Sequence, residues 1–275
     1  MKIFITGSNG FIGKNLCEFY ADNEVYRYTR GNLKLELSTF LPDVIIHCAA
    51  EIYKSDLMMD TNVLLTQEIL DWLRTHTQTK MIHIGSSSEY GPSSIASSEQ
   101  HRINPIDMYQ ATKGMATLLC QGYARTYALD IKIARPYSVY GRYEKPHRLF
   151  PRLWRAFQLD ESMTLYNGVH DFIYINDFID GINILLHVDK TNSGDIINFG
   201  SGKQYSNIEV LKLFETVTGK TAPIEHVSRM AKNFESNVWC CDTSYASKYY
   251  GFNCRYDLIT GIKDFLETAN YKDLT

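Results

Sequence analysis

The chain has 275 residues, enough for one large domain or two small ones with a substantial core. Its 44% hydrophobic and 21% charged residues are ordinary usage for a soluble globular protein. A net charge of −3 gives no electrostatic reason to expect nucleic acid or an acidic membrane as partner, and no run reaches the roughly 20 apolar residues of a transmembrane helix.

The N-terminus, MKIFITGSNG, carries one lysine and a short apolar run before Gly7. That run is too short for the core of a signal peptide, so it reads as a strand and the protein as cytoplasmic. The six cysteines, Cys17, Cys48, Cys120, Cys240, Cys241 and Cys254, show no metal-binding spacing and read as reduced thiols.

Along the chain, Lys2 to Thr6, Asp43 to His47, Met81 to Gly85 and Ile131 to Ala134 are short apolar runs bounded by turn residues, as buried parallel strands require. A further strand is expected near Val25–Tyr28. Between the strands, Asn62 to Leu73 and Tyr109 to Tyr127 repeat apolar residues at helical spacing. The alternation predicts an α/β fold of the Rossmann type, a doubly wound parallel sheet with helices on both faces. After Gly141 the pattern loosens into GRYEKPHRLFPRLWRAF, then IINFGSG, a helix at Asn207–Thr218 and a last helix near Leu258–Ala269. We expect residues 1–141, with part of 170–200, to form the dinucleotide-binding domain, and 142–275 to form most of a smaller substrate lobe.

The first strand runs directly into TGSNGFIGKNL, with Gly7, Gly10 and Gly13 three apart. A strand turning sharply into a helix presents free N–H groups and the positive end of the helix dipole to a pyrophosphate. Glycine supplies positive φ at the turn, close backbone approach to the phosphates, and close packing of helix on strand. We therefore expect a dinucleotide at Gly7, Asn9, Gly10, Phe11, Ile12 and Gly13. The end of the second strand, YRYTRG, has no carboxylate to bind a ribose 2′-OH but carries Arg27 and Arg30. Arginine pairs with a 2′-phosphate where a carboxylate would repel it. NADP(H) is thus favoured, with Arg30 as its main contact, and NAD(H) is the alternative.

The GxxGxxG spacing, in TGxxGFIG form, resembles the extended short-chain dehydrogenase/reductases, the nucleotide-sugar epimerase/dehydratase group. HCAA (His47–Ala50), TNVLLTQEIL, GSSSEYG, RPYSVYG (Arg135–Gly141), DFIYINDFIDGI, NFGSGKQYSNIEVLKLF and CDTSYASKYYGF each have counterparts there, across nearly the whole chain. The resemblance implies that Cys48, Ala49 and Ala50 flank the adenosine half, and that Asn62 orients cofactor or a water near Lys113. It places Pro136, Tyr137 and Val139 along the nicotinamide side.

It also gives Tyr109 and Lys113, in PIDMYQATKG, the roles of acid/base and helper. The chemistry is reasonable from first principles. Hydride transfer at a carbinol or ketone carbon needs a proton moved at the oxygen, and a tyrosine hydroxyl ionises near pH 10 unperturbed. An ammonium one helical turn away favours the phenolate. On a helical wheel this pair faces away from Met115, Leu118 and Leu119, which we expect to form the core stripe. A hydroxyl partner for the substrate oxygen comes from Ser86, Ser87 or Ser88: the family spacing selects Ser86 when anchored on Tyr90 and Ser87 when anchored on Glu89, and Ser86 is preferred.

The substrate that the resemblance implies is a nucleotide-diphosphate sugar, contacted by Ser86, Ser87 and Ser88 and by His147, Arg148 and His170. The stretch with Arg142, Lys145, His147, Arg148, Arg152 and Arg155 reads either as a diphosphate-facing patch or as a solvated helix face. His170 stands where many relatives have Arg. Ser87 and Ser88 stand where dehydratases carry their acid/base carboxylates, leaving only Glu89. A 4-ketoreductase is therefore the first expectation and a 4-epimerase the alternative, with a dehydratase or a non-catalytic nucleotide-binding relative behind them. Helices near 56–75 and 106–128 imply a homodimer, by resemblance to relatives.

Overall fold

The computed structural model describes residues 1–188, 193–230, 238–269 and 272. In chain order it runs β1 (Lys2–Thr6), α1 (Phe11–Phe19), β2 (Glu24–Tyr28), α2 (Leu33–Phe40), β3 (Val44–His47), α3 (Ser55–Met58), a π-helical turn at Met59–Leu64 and α4 (Leu65–Leu73). Next come β4 (Lys80–Ile84), a 3-10 turn at Ser87–Tyr90, α5 (Met108–Tyr127), β5 (Ile131–Pro136), β6 (Ser138–Tyr140) and α6 (Leu149–Leu159). The rest is β7 (Met163–Asn167), β8 (Val169–Tyr174), α7 (Ile175–His187), β9 (Asp195–Phe199), β10 (Gln204–Ser206), α8 (Asn207–Thr218), β11 (Ile224–Met230), α9 (Ser244–Tyr250) and α10 (Leu258–Thr268).

The main sheet is parallel and six-stranded, in the order β2-β1-β3-β4-β5-β9. The chain order reverses between β1 and β3, and in such sheets ligands bind beyond the strands' carboxyl ends at that reversal. Strand residues alternate between two cores, because successive side chains leave a strand on opposite faces. Ile3, Ile5, Val44, Ile46, Ile82 and Ile84 pack on one side with α1 and α7, while Phe4, Ile45, Met81, Ile131 and Ile133 pack on the other with α2, α4 and α5. The first core continues without a break into the second part of the chain through Tyr140, Phe150, Phe172, Phe214 and Phe265. There β10-β8-β6 and β11-β7 form two small sheets beside α6 and α8.

Two expectations change. The helix read from Asn62 is irregular at its start: Met59–Leu64 is a π-helical turn, and regular α4 begins at Leu65. Of the stripe expected to be core, Leu119 packs against the core, but Met115 and Leu118 point outward at 41% and 57% exposed while Lys113 is buried. Helix α5 instead packs through its small and polar residues, Thr112, Gly114, Ala116, Thr117 and Cys120. At Gly114 an added Cβ would lie 2.9 Å from Ile103 Cγ2. Periodicity shows that a helix has an apolar face but not which neighbour covers it. No helix among the described residues is long and apolar enough to cross a membrane.

Candidate active site

The turn after β1 is built as phosphate binding demands. Gly7 has φ +66°, and a Cβ there would lie 2.7 Å from Ala49 N, so residues after β3 close directly on it. A Cβ on Gly13 would run into the Gly7 carbonyl oxygen, a clash that only glycine avoids. Gly10 closes the turn by donating to Gly7 O at 2.9 Å and is the N-cap of α1. No side chain caps that helix and its first turn holds no acid, so the amides of Phe11 and Ile12 and the dipole are left for an anion. Asn9 is exposed at the tip, and Cys48, Ala49 and Ala50 lie half-buried alongside. These groups fit the pyrophosphate of a dinucleotide, which would lie across the β1/β3 reversal.

Past β2, Arg30 is exposed. A carboxylate that sequence reading missed lies close by: Glu36, from the first turn of α2, sits where a Cβ on Gly31 would be, and its Oε2 accepts the Tyr26 hydroxyl at 3.0 Å. The β2–α2 turn therefore offers groups of both signs.

At the end of β4, Gly85 leads into Ser86, which N-caps the 3-10 turn in a capping box: Ser88 N donates to Ser86 Oγ at 3.2 Å and Ser86 N to Glu89 Oε1 at 2.7 Å. The Ser86 hydroxyl meets Ser88 Oγ at 2.7 Å and hydrogen-bonds with the Tyr109 hydroxyl. Ser87 turns inward and is buried. Of the three serines, it is Ser86 that the fold brings to Tyr109. Burial raises the Tyr109 pKa, while Ser86 and the Arg148 charge pull it down. Lys113 Nζ donates to Ile84 O at 2.6 Å, and burial lowers its pKa. Helical spacing places Tyr109 and Lys113 one turn apart on α5.

Two buried ion-pair partners hold this loop. Glu89 Oε2 accepts Arg135 Nη2 at 2.6 Å and Nε at 3.1 Å, with the side chains 0% and 1% exposed. The Arg135 guanidinium also lies 4.3 Å over the Tyr90 ring. Glu89 is therefore engaged on both oxygens, one by the Ser86 amide and one by Arg135. The spacing Ser86-x-x-Glu89 is a capping-box signature, the signal by which sequence could have found it. Asn62, expected near the cofactor, is fully occupied: its Oδ1 accepts Glu51 N, and its Nδ2 donates to Glu51 O and Thr112 Oγ1. It ties the loop after β3 to α5.

Pro136 ends β5, Val139 lies in the core, and Tyr137 is buried with its hydroxyl on Ser97 O and its ring against Trp239. Below Lys113, His47 is hydrogen-bonded to Thr6 and Thr66 and held to a pKa of about 3 by burial, and His83 is buried beside it.

The basic stretch divides. Arg142 pairs with Glu18, Arg152 donates to Thr164 O, and Arg155 pairs with Glu161 and donates to Pro146 O, so these three serve the fold. Arg148 and His147 turn toward the cleft. The Arg148 charge reaches Tyr109, Tyr53, His147 and His170. His147 Nε2 meets the Tyr53 hydroxyl at 2.6 Å. His170, half-buried and 3.4 Å from Ser138 Oγ, is held neutral, its pKa lowered to about 4 by burial and Arg148.

A glycine turn for a dinucleotide, with Ser86 at the end of β4 and Tyr109 and Lys113 on α5, defines a nicotinamide-dependent enzyme of the extended short-chain dehydrogenase/reductase type. Residues 3–200 match the NAD dependent epimerase/dehydratase family, and the chain belongs to it. It is 27% identical to the uncharacterized UDP-glucose epimerase YtcB of Bacillus subtilis over 97% of this chain and 96% of that one. It is 26% identical to a UDP-glucuronate 4-epimerase of Thermodesulfobacterium geofontis, over 84% of this chain and 73% of that one. The fold superposes with a TM-score of 0.86 on a mutant of a Bacillus cereus UDP-glucuronic acid 4-epimerase bound to NAD and a fluorinated UDP-sugar. That pair is 27% identical, and the match covers 97% of this chain and 98% of that one.

Proposed function

We propose that the protein is a 4-ketoreductase of nucleotide-diphosphate sugars. The observation that carries this reading is the state of Glu89. Elimination of water needs a second carboxylate acid/base pair, and the carboxylate nearest the serines is locked between the Ser86 amide and Arg135. What remains is one proton device. Ser86 and Tyr109 would hold the substrate oxygen between their hydroxyls, Tyr109 giving or taking its proton. The nicotinamide, when bound, supplies or accepts the hydride. Lys113 would hold the nicotinamide ribose, and Arg148, with His147 beside it, would hold the diphosphate.

We favour NADP(H), with Arg30 on the 2′-phosphate. Charge-assisted contacts of this kind are worth about 1.5–3 kcal/mol, so Arg30→Ala is expected to weaken NADP+ binding about tenfold or more and leave NAD+ unchanged. Tighter binding of NAD+ by the wild type would overturn this and point to Glu36 as the group that reads the ribose.

The deciding experiment incubates the enzyme and dinucleotide with a panel of nucleotide sugars and their 4-keto forms, following absorbance of the reduced cofactor and product mass. A gain of two hydrogens marks reduction, loss of water marks dehydration, and an isomer of unchanged mass marks epimerisation. Tyr109→Phe should cut kcat about 10²–10⁴-fold. Turnover unaffected by that change would refute the assigned acid/base. The second reading, a 4-epimerase, is favoured by the likeness to the Bacillus cereus enzyme. We also propose a homodimer joined through the exposed apolar face of α5.

A further inference from the structure

The catalytic cleft leaves one buried acid without a task. Glu144 lies between β6 and α6 and is 4% exposed. Its Oε1 accepts Arg148 Nε at 3.3 Å, while Oε2 is buried with no hydrogen-bond partner among the described residues. An ionised carboxylate can accept about four hydrogen bonds, so its charged form is poorly satisfied here. The pair is asymmetric: the Arg148 side chain is 51% exposed and that of Glu144 only 5%. The guanidinium thus has Glu144 behind it and the cleft, with Tyr53, Tyr109, His147 and His170, in front of it.

We propose that Glu144 sets how tightly Arg148 holds the diphosphate of a nucleotide sugar: protonated, it leaves the guanidinium to the ligand, and ionised, it competes for it. The proposal rests on the assignment of Arg148 to the diphosphate. Glu144 is a positioning residue, acting through Arg148.

Neighbouring charges leave this pair to itself. Arg142 pairs with Glu18, Lys14 lies over the Tyr143 ring, Lys145 is exposed, and Arg148 is the charge that acts on Glu144. Burial raises the Glu144 pKa to about 7, while Arg148 and the Gly141 peptide N–H pull it down. Burial and the Arg148 charge lower both His147 and His170, His170 to about 4.

The signs follow by linkage. A dianionic ligand that takes up the Arg148 charge makes ionisation of Glu144 harder, so binding draws in a proton. A rise of about one pKa unit on binding means affinity about tenfold weaker above the titration than below it. In the ligand-free protein the acid's pKa is raised above its unfolded value, so the folded state holds more protons. Stability therefore falls as pH rises from about 4.5 to about 7.

The test is calorimetric titration of the full-length protein, saturated with dinucleotide, with UDP-glucose, UDP-glucuronic acid and dTDP-glucose at about pH 6 and about pH 8, where their phosphates do not titrate. Wild type should bind about fivefold more weakly at the higher pH, which lies near the raised pKa of the complex, and take up a fraction of a proton. Glu144→Gln should bind at both with the tighter affinity, and His147→Asn should keep the wild-type slope. A flat wild-type profile, or a slope surviving in Glu144→Gln, overturns the proposal. Urea unfolding gives a ligand-free readout: between about pH 4.5 and about pH 7 wild type should lose stability relative to Glu144→Gln, and equal slopes also overturn the proposal. Binding with the slope but no turnover removes the 4-ketoreductase reading alone. Turnover without the slope removes the Glu144 proposal alone, and no binding of any of these sugars at either pH removes both.

Discussion

Residue Glu89 is the best single measure of how this site is held. Its carboxylate compensates a wholly buried guanidinium on β5 and fixes the amide of Ser86, so one side chain joins the proton device to the sheet. Removing one partner of such a pair leaves an uncompensated buried charge, and Glu89→Ala should cost about 3–5 kcal/mol in urea unfolding. A cost below about 1 kcal/mol would mean that Arg135 finds another acceptor. The serine, tyrosine and lysine were legible in the sequence because each follows a recognisable strand end or helix spacing. Glu89, Glu144 and Glu36 were not assigned: the partner of Glu89, Arg135, is 46 positions away, and for Glu144 and Glu36 the spacing to nearby residues does not reveal burial or which way the carboxylate turns. Spacing puts Lys113 one turn from Tyr109, while the acceptor that its ammonium finds, the Ile84 carbonyl on β4, could not be read from the spacing.

At the scale of elements, the turn from β1 into α1 carried the clearest signal, and the structure gives each glycine a distinct reason. Gly13 cannot gain a methyl without moving the Gly7 carbonyl. Overpacking of this kind costs about 1–3 kcal/mol, so Gly13→Ala should weaken dinucleotide binding about tenfold or more in a fluorescence titration. Gly122, within α5, is the control: a Cβ there meets nothing within 4 Å. Gly122→Ala should leave binding unchanged and gain about 0.5–1 kcal/mol of stability. Strands of the first half were readable because buried parallel strands are continuous apolar runs. The strands β6, β10 and β11 were not: β6 and β10 have only 3 residues each, and all three pair with partners distant in sequence. The start of α4 differs from expectation because a π-helical turn keeps helical spacing nearly intact.

For the whole molecule, the outward face of α5 is the feature that asks for a neighbour. Met108, Met115 and Leu118 are exposed there, with Leu57, Met59 and Leu64 on the adjoining turns. A cluster of exposed apolar side chains of this kind marks an interaction site, and a second copy is the proposed occupant. Light scattering on a sizing column should give twice the chain mass for the wild type, and the chain mass for Leu118→Glu. A wild type of single mass would refute the dimer. The sheet order has a further consequence, for how the chain is made. Strand β5 is buried on every residue, yet its outer edge is filled by β9, which is translated only after β6, α6, β7, β8 and α7. While that intervening stretch is being synthesised, Ile131-Lys132-Ile133-Ala134 presents an unpaired edge of the kind that recruits foreign strands. The emerging N-terminal half is thus the aggregation-exposed stage of this protein's life, and the last pairing of the main sheet, a long-range and slow one, ends it.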